Sequence, residues 1–216
     1  MIRIFGIKTD ALPSCETILA DLSEEWISVW SMRHGDPMHA KNSLSMRQSL
    51  GGLLLLHRMG ADGRLCYEDG GRPYLADASA DFSITHTDGF VLCALETDSC
   101  TPRVGLDAES LSRISTLSYP ALASRWFAPA EQKMFDASPT PECFARIWTR
   151  KEALVKYRGT GLSGLHAADT AVAEKSGIRF TEYRVGDVLV TLCHATEGAP
   201  KKIEYPTDHF CDLQTQ

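Results

Sequence analysis

One order of segments occurs twice along the chain, and this repetition most constrains the fold. In each half a strong helical segment that ends near glycine is followed by two strands around a glycine-containing turn. The segments are residues 43–59, 82–86 and 90–95, and then residues 144–157, 178–184 and 188–194. Helices mixed with antiparallel hairpins predict an α+β protein of two similar halves, a pseudo-dimer with one long helix in each half.

A seam between the halves is predicted at Thr101-Pro102, which gives an N-terminal half of residues 1–101 and a C-terminal half of residues 102–216. A duplicated architecture of this kind predicts a functional site in the cleft between the halves. The remaining predicted elements are a strand over 1–7, a helix over 16–32, a turn at 70–73, a strand over 104–109, helical structure to about 127 and a helix that opens at Pro129.

Charge and composition exclude several classes of protein. The net charge is −6, whereas a protein that binds nucleic acid through phosphates carries a basic surplus, so no nucleic-acid partner is expected. The seven cysteines form no C-x-x-C pair, which argues against a zinc site and a disulfide framework. The N-terminus shows no signal peptide, and the longest apolar run, residues 53–56, is far too short to span a membrane. The sequence therefore predicts a soluble cytoplasmic protein.

Asp107 and Glu109 stand two residues apart on a predicted strand, within the segment VGLDAE. Residues at this spacing point to the same side of a strand, so the two carboxylates share one face. Mg²⁺ binds through one or two carboxylates and completes its octahedron with water and phosphate oxygens. A pair of solvated surface acids is the alternative, and the D-x-E pattern alone favours that alternative.

Glu152 and Lys156 lie four residues apart on a predicted helix and so share one of its faces. They are either a third carboxylate for a metal with a lysine for a phosphate, or an ordinary exposed ion pair. The helix ends in Gly159-Thr160-Gly161-Leu162.

VGLDAE followed about forty residues later by WTRKEALVKYRGTGL resembles the 4′-phosphopantetheinyl transferase superfamily. Further matches favour its larger two-half (surfactin-synthetase-activating) type, and the resemblance covers about residues 44–165. These matches are Gly71-Arg72-Pro73-Tyr74, Phe82-Ser83-Ile84-Thr85-His86-Thr87 and Phe127-x-x-x-Glu131. The family often has Ser-His-Ser where this chain has Thr85-His86-Thr87, and the hydroxyl groups are kept.

The resemblance implies a set of binding residues. The magnesium ligands would be Asp107, Glu109 and Glu152, and the contacts to coenzyme A would be Arg47, Arg72, His86 and Lys156. Within this set Arg47 would lie near the adenosine 3′-phosphate, and Lys156 would lie beside the pyrophosphate.

The catalytic residues implied by the resemblance are Glu131, Lys156 and Lys151. Glu131 would help to deprotonate the serine of a carrier protein, and Lys156 would stabilise the leaving group. Lys151 is the second lysine of the family motif, and the pattern leaves its role open.

The implied reaction moves the phosphopantetheine arm of coenzyme A, the co-substrate, onto a serine of an apo acyl or peptidyl carrier protein. Mg²⁺ is the expected cofactor, adenosine 3′,5′-bisphosphate is the leaving product, and a monomer is expected. Two alternatives stay open on the same residues, a metal-dependent phosphohydrolase that acts on a nucleotide and a non-catalytic module that binds coenzyme A or a carrier.

Overall fold

The computed structural model of the chain describes residues 1–35, 43–76, 80–97 and 102–206. The strands are β1 Ile2–Lys8, β2 Arg64–Tyr67, β3 Pro73–Ala76, β4 Asp81–Thr87, β5 Phe90–Glu96, β6 Val104–Ser110, β7 Arg179–Val185 and β8 Val188–His194. The helices are α1 Cys15–Asp21, α2 Glu24–His34, α3 Leu44–Arg58, α4 Leu111–Ser115, α5 Tyr119–Trp126, α6 Pro129–Ala137, α7 Pro141–Arg158 and α8 Thr170–Lys175. These strands pair antiparallel, and the protein is α+β, as predicted.

The two larger sheets have matching topologies. The first has the strand order β1-β5-β4 and the second has the order β6-β8-β7. In both, a strand is followed by a long helix, α3 or α7, and then by a hairpin whose second strand lies at the centre of the sheet. This correspondence agrees with the predicted pair of similar halves.

The two long helices begin and end on local sequence signals. The Ser43 hydroxyl accepts a hydrogen bond from the backbone N–H of Met46, at 3.3 Å, and caps α3. Thr140 caps α7 in the same way and Pro141 follows, so α7 begins three residues before the predicted start at 144. Gly159, with φ of 72°, ends α7 in the left-handed conformation that favours glycine.

In the N-terminal half one prediction was wrong, and one hairpin was not predicted. The helix predicted over 16–32 is two helices, α1 and α2, because the Ser23 hydroxyl accepts from Trp26 N–H and starts a second helix. The predicted turn at 70–73 belongs to a hairpin, β2–β3, whose strands were not predicted. Each strand is four residues long, and Leu65 and Leu75 form the buried cross-strand pair of the hairpin. Four residues give too short an alternation of apolar and polar side chains to identify a strand.

The two halves share a hydrophobic core. One cluster of buried side chains includes Ile4 and Leu92 from the first sheet and Leu106 and Val190 from the second. The chain then returns from the second half to the first, where Glu204 exchanges backbone hydrogen bonds with β1. Thr101 of the predicted seam lies outside the described residues, and the division into 1–101 and 102–216 stays a prediction.

At the junction of the sheets, edge strands β4 and β6 lie side by side. Hydroxyl or carboxylate oxygens on β4 accept hydrogen bonds from backbone N–H groups of β6, where a continuous sheet would use carbonyl oxygens. The bonded pairs are Asp81 with Val104, Ser83 with Leu106 and Thr87 with Ser110. The N-terminal half therefore directly fixes the strand that carries Asp107 and Glu109.

Within the described ranges, no helix has the length and apolar character needed to cross a membrane. The cysteines in these ranges carry free thiols, and they are Cys15, Cys66, Cys93, Cys143 and Cys193. Cys100 and Cys211 lie outside the described residues.

Candidate functional site

Gly105 allows β6 to lie directly against α7. A Cβ atom built on Gly105 would lie 2.0 Å from the carbonyl oxygen of Ala153 and 2.6 Å from the backbone nitrogen of Tyr157, so no other residue fits without moving the strand. Gly105 shares a strand face with Asp107 and Glu109, because side chains alternate. The close contact therefore brings both acids to the helix that carries Glu152 and Lys156.

Asp107 is the centre of the site and is only 3% exposed. Its Oδ1 atom accepts hydrogen bonds from Lys156 Nζ at 2.7 Å and from Thr85 Oγ1 at 3.2 Å. Lys156 Nζ also donates to the carbonyl oxygen of Leu106 at 3.0 Å. Asp107 Oδ2 is buried as well and has no hydrogen-bond partner among the described residues. A buried carboxylate oxygen without a donor is costly, and a bound cation would satisfy it.

Glu109 and Glu152 are less buried and lie within electrostatic range of Asp107. Glu109 pairs with Arg113 at 3.0 Å. Burial first and the negative charge of Asp107 second raise the pKa of Glu109 and that of Glu152 to about 7. Neighbouring carboxylates whose ionisation is costly are stabilised by a divalent cation, which takes the place of their protons.

The predicted ligands fit a magnesium ion in their chemistry. They are hard oxygen donors, and one buried oxygen lacks a partner. In the part of the chain that the structure describes, however, no three His, Cys, Asp or Glu side chains are gathered closely enough to hold a metal. Lys156 and Arg113 instead neutralise Asp107 and Glu109 in this arrangement. A cation at this position would therefore have to displace at least one of these protein cations.

His86 lies on β4, on the exposed side of the junction, near Lys156 and Asp107. Partial desolvation first and the positive charge of Lys156 second lower the pKa of its imidazole. The ring is therefore uncharged at neutral pH, and it can approach a phosphate as a neutral hydrogen-bond donor.

Arg72, a predicted phosphate contact, is buried beneath the end of α7. Its Nε donates to the carbonyl oxygen of Lys156 at 2.8 Å, and its Nη2 donates to Asp81 and to the carbonyl oxygens of Phe82 and Val104. Nη1 has no hydrogen-bond partner among the described residues. These contacts tie the two halves together, so Arg72 has a structural role that the sequence did not indicate.

Arg47 lies on α3 and donates from Nη1 to the carbonyl oxygen of Leu12 at 3.1 Å. Its neighbour Gln48 donates to the carbonyl oxygen of Thr87, which places this part of α3 beside the end of β4. None of the hydrogen bonds described for Arg47 reaches the acids, so the structure does not join it to Asp107, Glu109 and Glu152.

Glu131 and Lys151 form a second buried ion pair, at 2.9 Å. Glu131 Oε2 also accepts from Ala128 N–H, and its Oε1 accepts from the backbone N–H and the hydroxyl of Thr170. Lys151 further donates to the carbonyl oxygen of Ala168. Both Glu131 oxygens thus have two donors each, an arrangement that argues against a role as the direct acceptor of a substrate proton.

The side chains of Lys151 and Glu152 lie in different surroundings although the two residues are neighbours in sequence. Consecutive side chains leave a helix about 100° apart. Lys151 therefore points into the interior toward Glu131, while Glu152 lies beside Lys156 at a pocket of about 270 Å³. The pocket is also lined by Arg72, Phe82, Leu165 and the backbone of Gly70 and Gly161.

Thr85 is a site residue that the sequence analysis did not identify. The signal was nonetheless present, because polar residues occupy every second position of β4, and all four are buried. They are Asp81, Ser83, Thr85 and Thr87. Buried polar groups need partners, so this pattern indicates a polar junction rather than an ordinary core strand.

Sequence comparison with known proteins identifies the same part of the chain as the site. Residues 103–206, which contain β6, α7 and the acids, match the model of the 4′-phosphopantetheinyl transferase superfamily. The matched residues make up slightly less than half of the chain and include the strand and the helix that carry the acids.

Among similar proteins is the 4′-phosphopantetheinyl transferase HetI of Nostoc sp., 34% identical over 113 residues, which cover 49% of this chain and 46% of HetI. A putative 4′-phosphopantetheinyl transferase of Synechocystis sp. is 29% identical over 140 residues, 61% of this chain and 55% of the relative. The 4′-phosphopantetheinyl transferase Sfp of Bacillus subtilis is 29% identical over 107 residues, 48% of this chain and 44% of Sfp. The matched region thus spans about half the length of these relatives.

Proposed function

We propose that the chain is a 4′-phosphopantetheinyl transferase of the larger two-half type, which moves the phosphopantetheine arm of coenzyme A to a serine of an apo carrier protein. The observation that carries the proposal is Asp107, whose Oδ1 is bound by Lys156 while its buried Oδ2 has no donor among the described residues. A cation bound to Oδ2 would lie beside a lysine that can hold a phosphate, as phosphoryl-group transfer requires. The names of the similar proteins support the same activity.

The proposed ligands for Mg²⁺ are Asp107, Glu109 and Glu152. When bound there, Mg²⁺ supplies positive charge that neutralises the pyrophosphate as its bond breaks. The raised pKa values of Glu109 and Glu152 support this assignment, because burial and the negative charge of Asp107 make their ionisation costly, and a bound cation would offset that cost.

The chain's own residues would then orient coenzyme A and stabilise the leaving group. Lys156, which is partly exposed at the pocket, would turn from Asp107 to the pyrophosphate and hold the charge of the departing adenosine 3′,5′-bisphosphate. His86 would donate a hydrogen bond to a phosphate from its neutral ring. The apolar walls of the pocket beside Lys156 suit a nonpolar part of coenzyme A.

We assign Glu131 and Lys151 to positioning instead of proton transfer. Their hydrogen bonds connect α6 and α7 with Ala168 and with Thr170 at the start of α8, so they hold the helix from which Glu152 and Lys156 project. Arg72 acts similarly from the other half. Arg47 stays a predicted contact of the adenosine 3′-phosphate, and a monomer in the cytoplasm without nucleic-acid or membrane partners stays part of the proposal.

Mass spectrometry of an apo carrier protein incubated with coenzyme A and Mg²⁺ tests the proposed function. Transfer adds the phosphopantetheine arm to the carrier and releases adenosine 3′,5′-bisphosphate. A phosphohydrolase would cleave the nucleotide and leave the carrier unmodified, and a binding module would change neither molecule. A panel of apo acyl and peptidyl carriers is needed, and no modification of any of them would contradict the proposal.

A further inference from the structure

The β4–β6 junction follows a regular pattern with one exception. Asp81, Ser83 and Thr87 each accept a hydrogen bond from a β6 backbone N–H that lies 23 residues further along the chain. By this offset the Thr85 hydroxyl would face the backbone of Ala108. It donates instead to the Asp107 carboxylate, at an offset of 22 residues and a distance of 3.2 Å. The exception therefore falls on the most buried acid of the site.

We infer that Thr85 is a positioning residue, which orients the Asp107 carboxylate so that its free oxygen is presented to a divalent cation. This inference rests on the proposed function, because that function supplies the cation. Asp107 Oδ1 has one donor from each half of the molecule, Thr85 on β4 and Lys156 on α7. Two donors on one oxygen fix the plane of the carboxylate, and the buried Oδ2 is left for the ligand.

The Thr85 hydrogen bond becomes more important when coenzyme A binds. Lys156 is the more exposed of the two donors, with 30% of its side chain accessible, and it is the group proposed to engage the pyrophosphate. Once Lys156 turns away, Thr85 is the donor among the described contacts that still holds Oδ1. Thr85 itself is buried on a paired strand and cannot follow the substrate.

Three variants separate positioning from simple packing. Thr85→Val removes the hydroxyl and keeps the side-chain shape, whereas Thr85→Ser keeps the hydroxyl. Thr87→Val is the matched control, because it removes a buried hydroxyl from the same strand and junction but leaves Asp107 untouched. Thermal unfolding of each variant verifies that it folds.

The measurement is calorimetric titration of the full chain, first with coenzyme A and then with MgCl₂ at saturating coenzyme A, in the absence of a carrier. We expect Thr85→Val to weaken Mg²⁺ binding by roughly 10- to 100-fold, as loss of a group that orients a metal ligand does. Thr85→Ser should restore the affinity to within about threefold of the unmodified protein, and Thr87→Val should stay within the same range.

Equal Mg²⁺ affinity in Thr85→Val and in the unmodified protein would overturn the inference, and so would equal losses in Thr85→Val and Thr87→Val. Either result would leave the proposed function intact if coenzyme A still bound. If the unmodified protein bound coenzyme A but no Mg²⁺, both the inference and the magnesium assignment would be refuted. Failure to bind coenzyme A at all would contradict the proposed function itself.

Discussion

Helix α7 carries two lysines, five residues apart, and each contacts a carboxylate from another element. Lys151 and Glu131 are 0% and 3% exposed in their side chains, and every carboxylate oxygen of this pair has two donors. Lys156 is 30% exposed, and Asp107 keeps one buried oxygen without a partner among the described residues. An ion pair whose carboxylate oxygens all have donors, here called the saturated pair, stabilises the structure. An ion pair at a pocket with one carboxylate oxygen lacking a donor, here called the unsaturated pair, is able to bind a ligand.

The largest expected effect is on stability, from breaking the saturated pair. Lys151→Met leaves Glu131 as a buried unpaired acid, so the free energy of unfolding should fall by about 3–5 kcal/mol. Urea denaturation followed by circular dichroism measures the change. The double variant Lys151→Met with Glu131→Leu should recover most of the loss, because two apolar side chains of similar size replace the pair.

The same double variant also tests the assignment of Glu131. If Glu131 only positions α7, the folded double variant should transfer phosphopantetheine within about tenfold of the unmodified rate, since a general base contributes typically 10²- to 10⁴-fold. A loss of a hundredfold or more in a fully folded double variant would instead restore Glu131 as the acceptor of the serine proton.

Breaking the unsaturated pair should have a smaller effect on stability and a large effect on rate. Asp107→Asn removes a proposed ligand of Mg²⁺, so the transfer rate should fall by about 10²- to 10³-fold, which corresponds to several kcal/mol of lost transition-state stabilisation. Its melting temperature without metal should stay close to that of the unmodified protein, because Glu109 and Glu152 lose a repulsive neighbour. Near-normal turnover of Asp107→Asn in a carrier-modification assay would refute the metal assignment.

The smallest expected effect is a dependence of stability on pH. The pKa of Glu152 is raised to about 7 in the folded chain, from 4.5 for a free side chain, so the folded state holds its proton more tightly. The stability that this proton confers is complete below about pH 4.5 and is lost as the pH rises through 7. Glu152→Gln removes this contribution, whereas the similar contribution of Glu109 and the opposite contributions of histidines such as His86 remain in both proteins.

In metal-free buffer, Glu152→Gln should therefore melt roughly 2–4 °C above the unmodified protein at pH 8, a change of about 1 kcal/mol, and near it at pH 5. Scanning calorimetry with a chelator present measures this difference. Added Mg²⁺ should reverse the order at pH 8, because only the unmodified protein has the full set of acids. A difference that does not vary with pH would argue against the buried, crowded environment of Glu152.

Much of this architecture followed from local patterns in the sequence. Strand patterns around the turns at Asp88-Gly89 and Gly186-Asp187 predicted the β4–β5 and β7–β8 hairpins. Helical periodicity predicted α3 and α7, because these signals depend on residues close together in the chain. Strand alternation likewise predicted that Asp107 and Glu109 share a face. The sequence did not predict the short strands β2 and β3 or the break between α1 and α2, because only a few residues carried each signal.

The partners of the charged side chains were decided by the tertiary structure alone. Lys151 and Lys156 look alike in the motif, yet one is buried against Glu131 and the other reaches Asp107, in contacts that span 20 and 49 residues. The roles of Arg72 and Thr85 depend on contacts across the two halves. Arg72, in the β2–β3 turn, donates to the carbonyl oxygen of Lys156 on α7, and Thr85 on β4 donates to Asp107 on β6. Sequence determined which elements form and which faces carry charge, because periodicity is local. Packing decided which charges are neutralised and which stay available, because that depends on distances through space between distant segments.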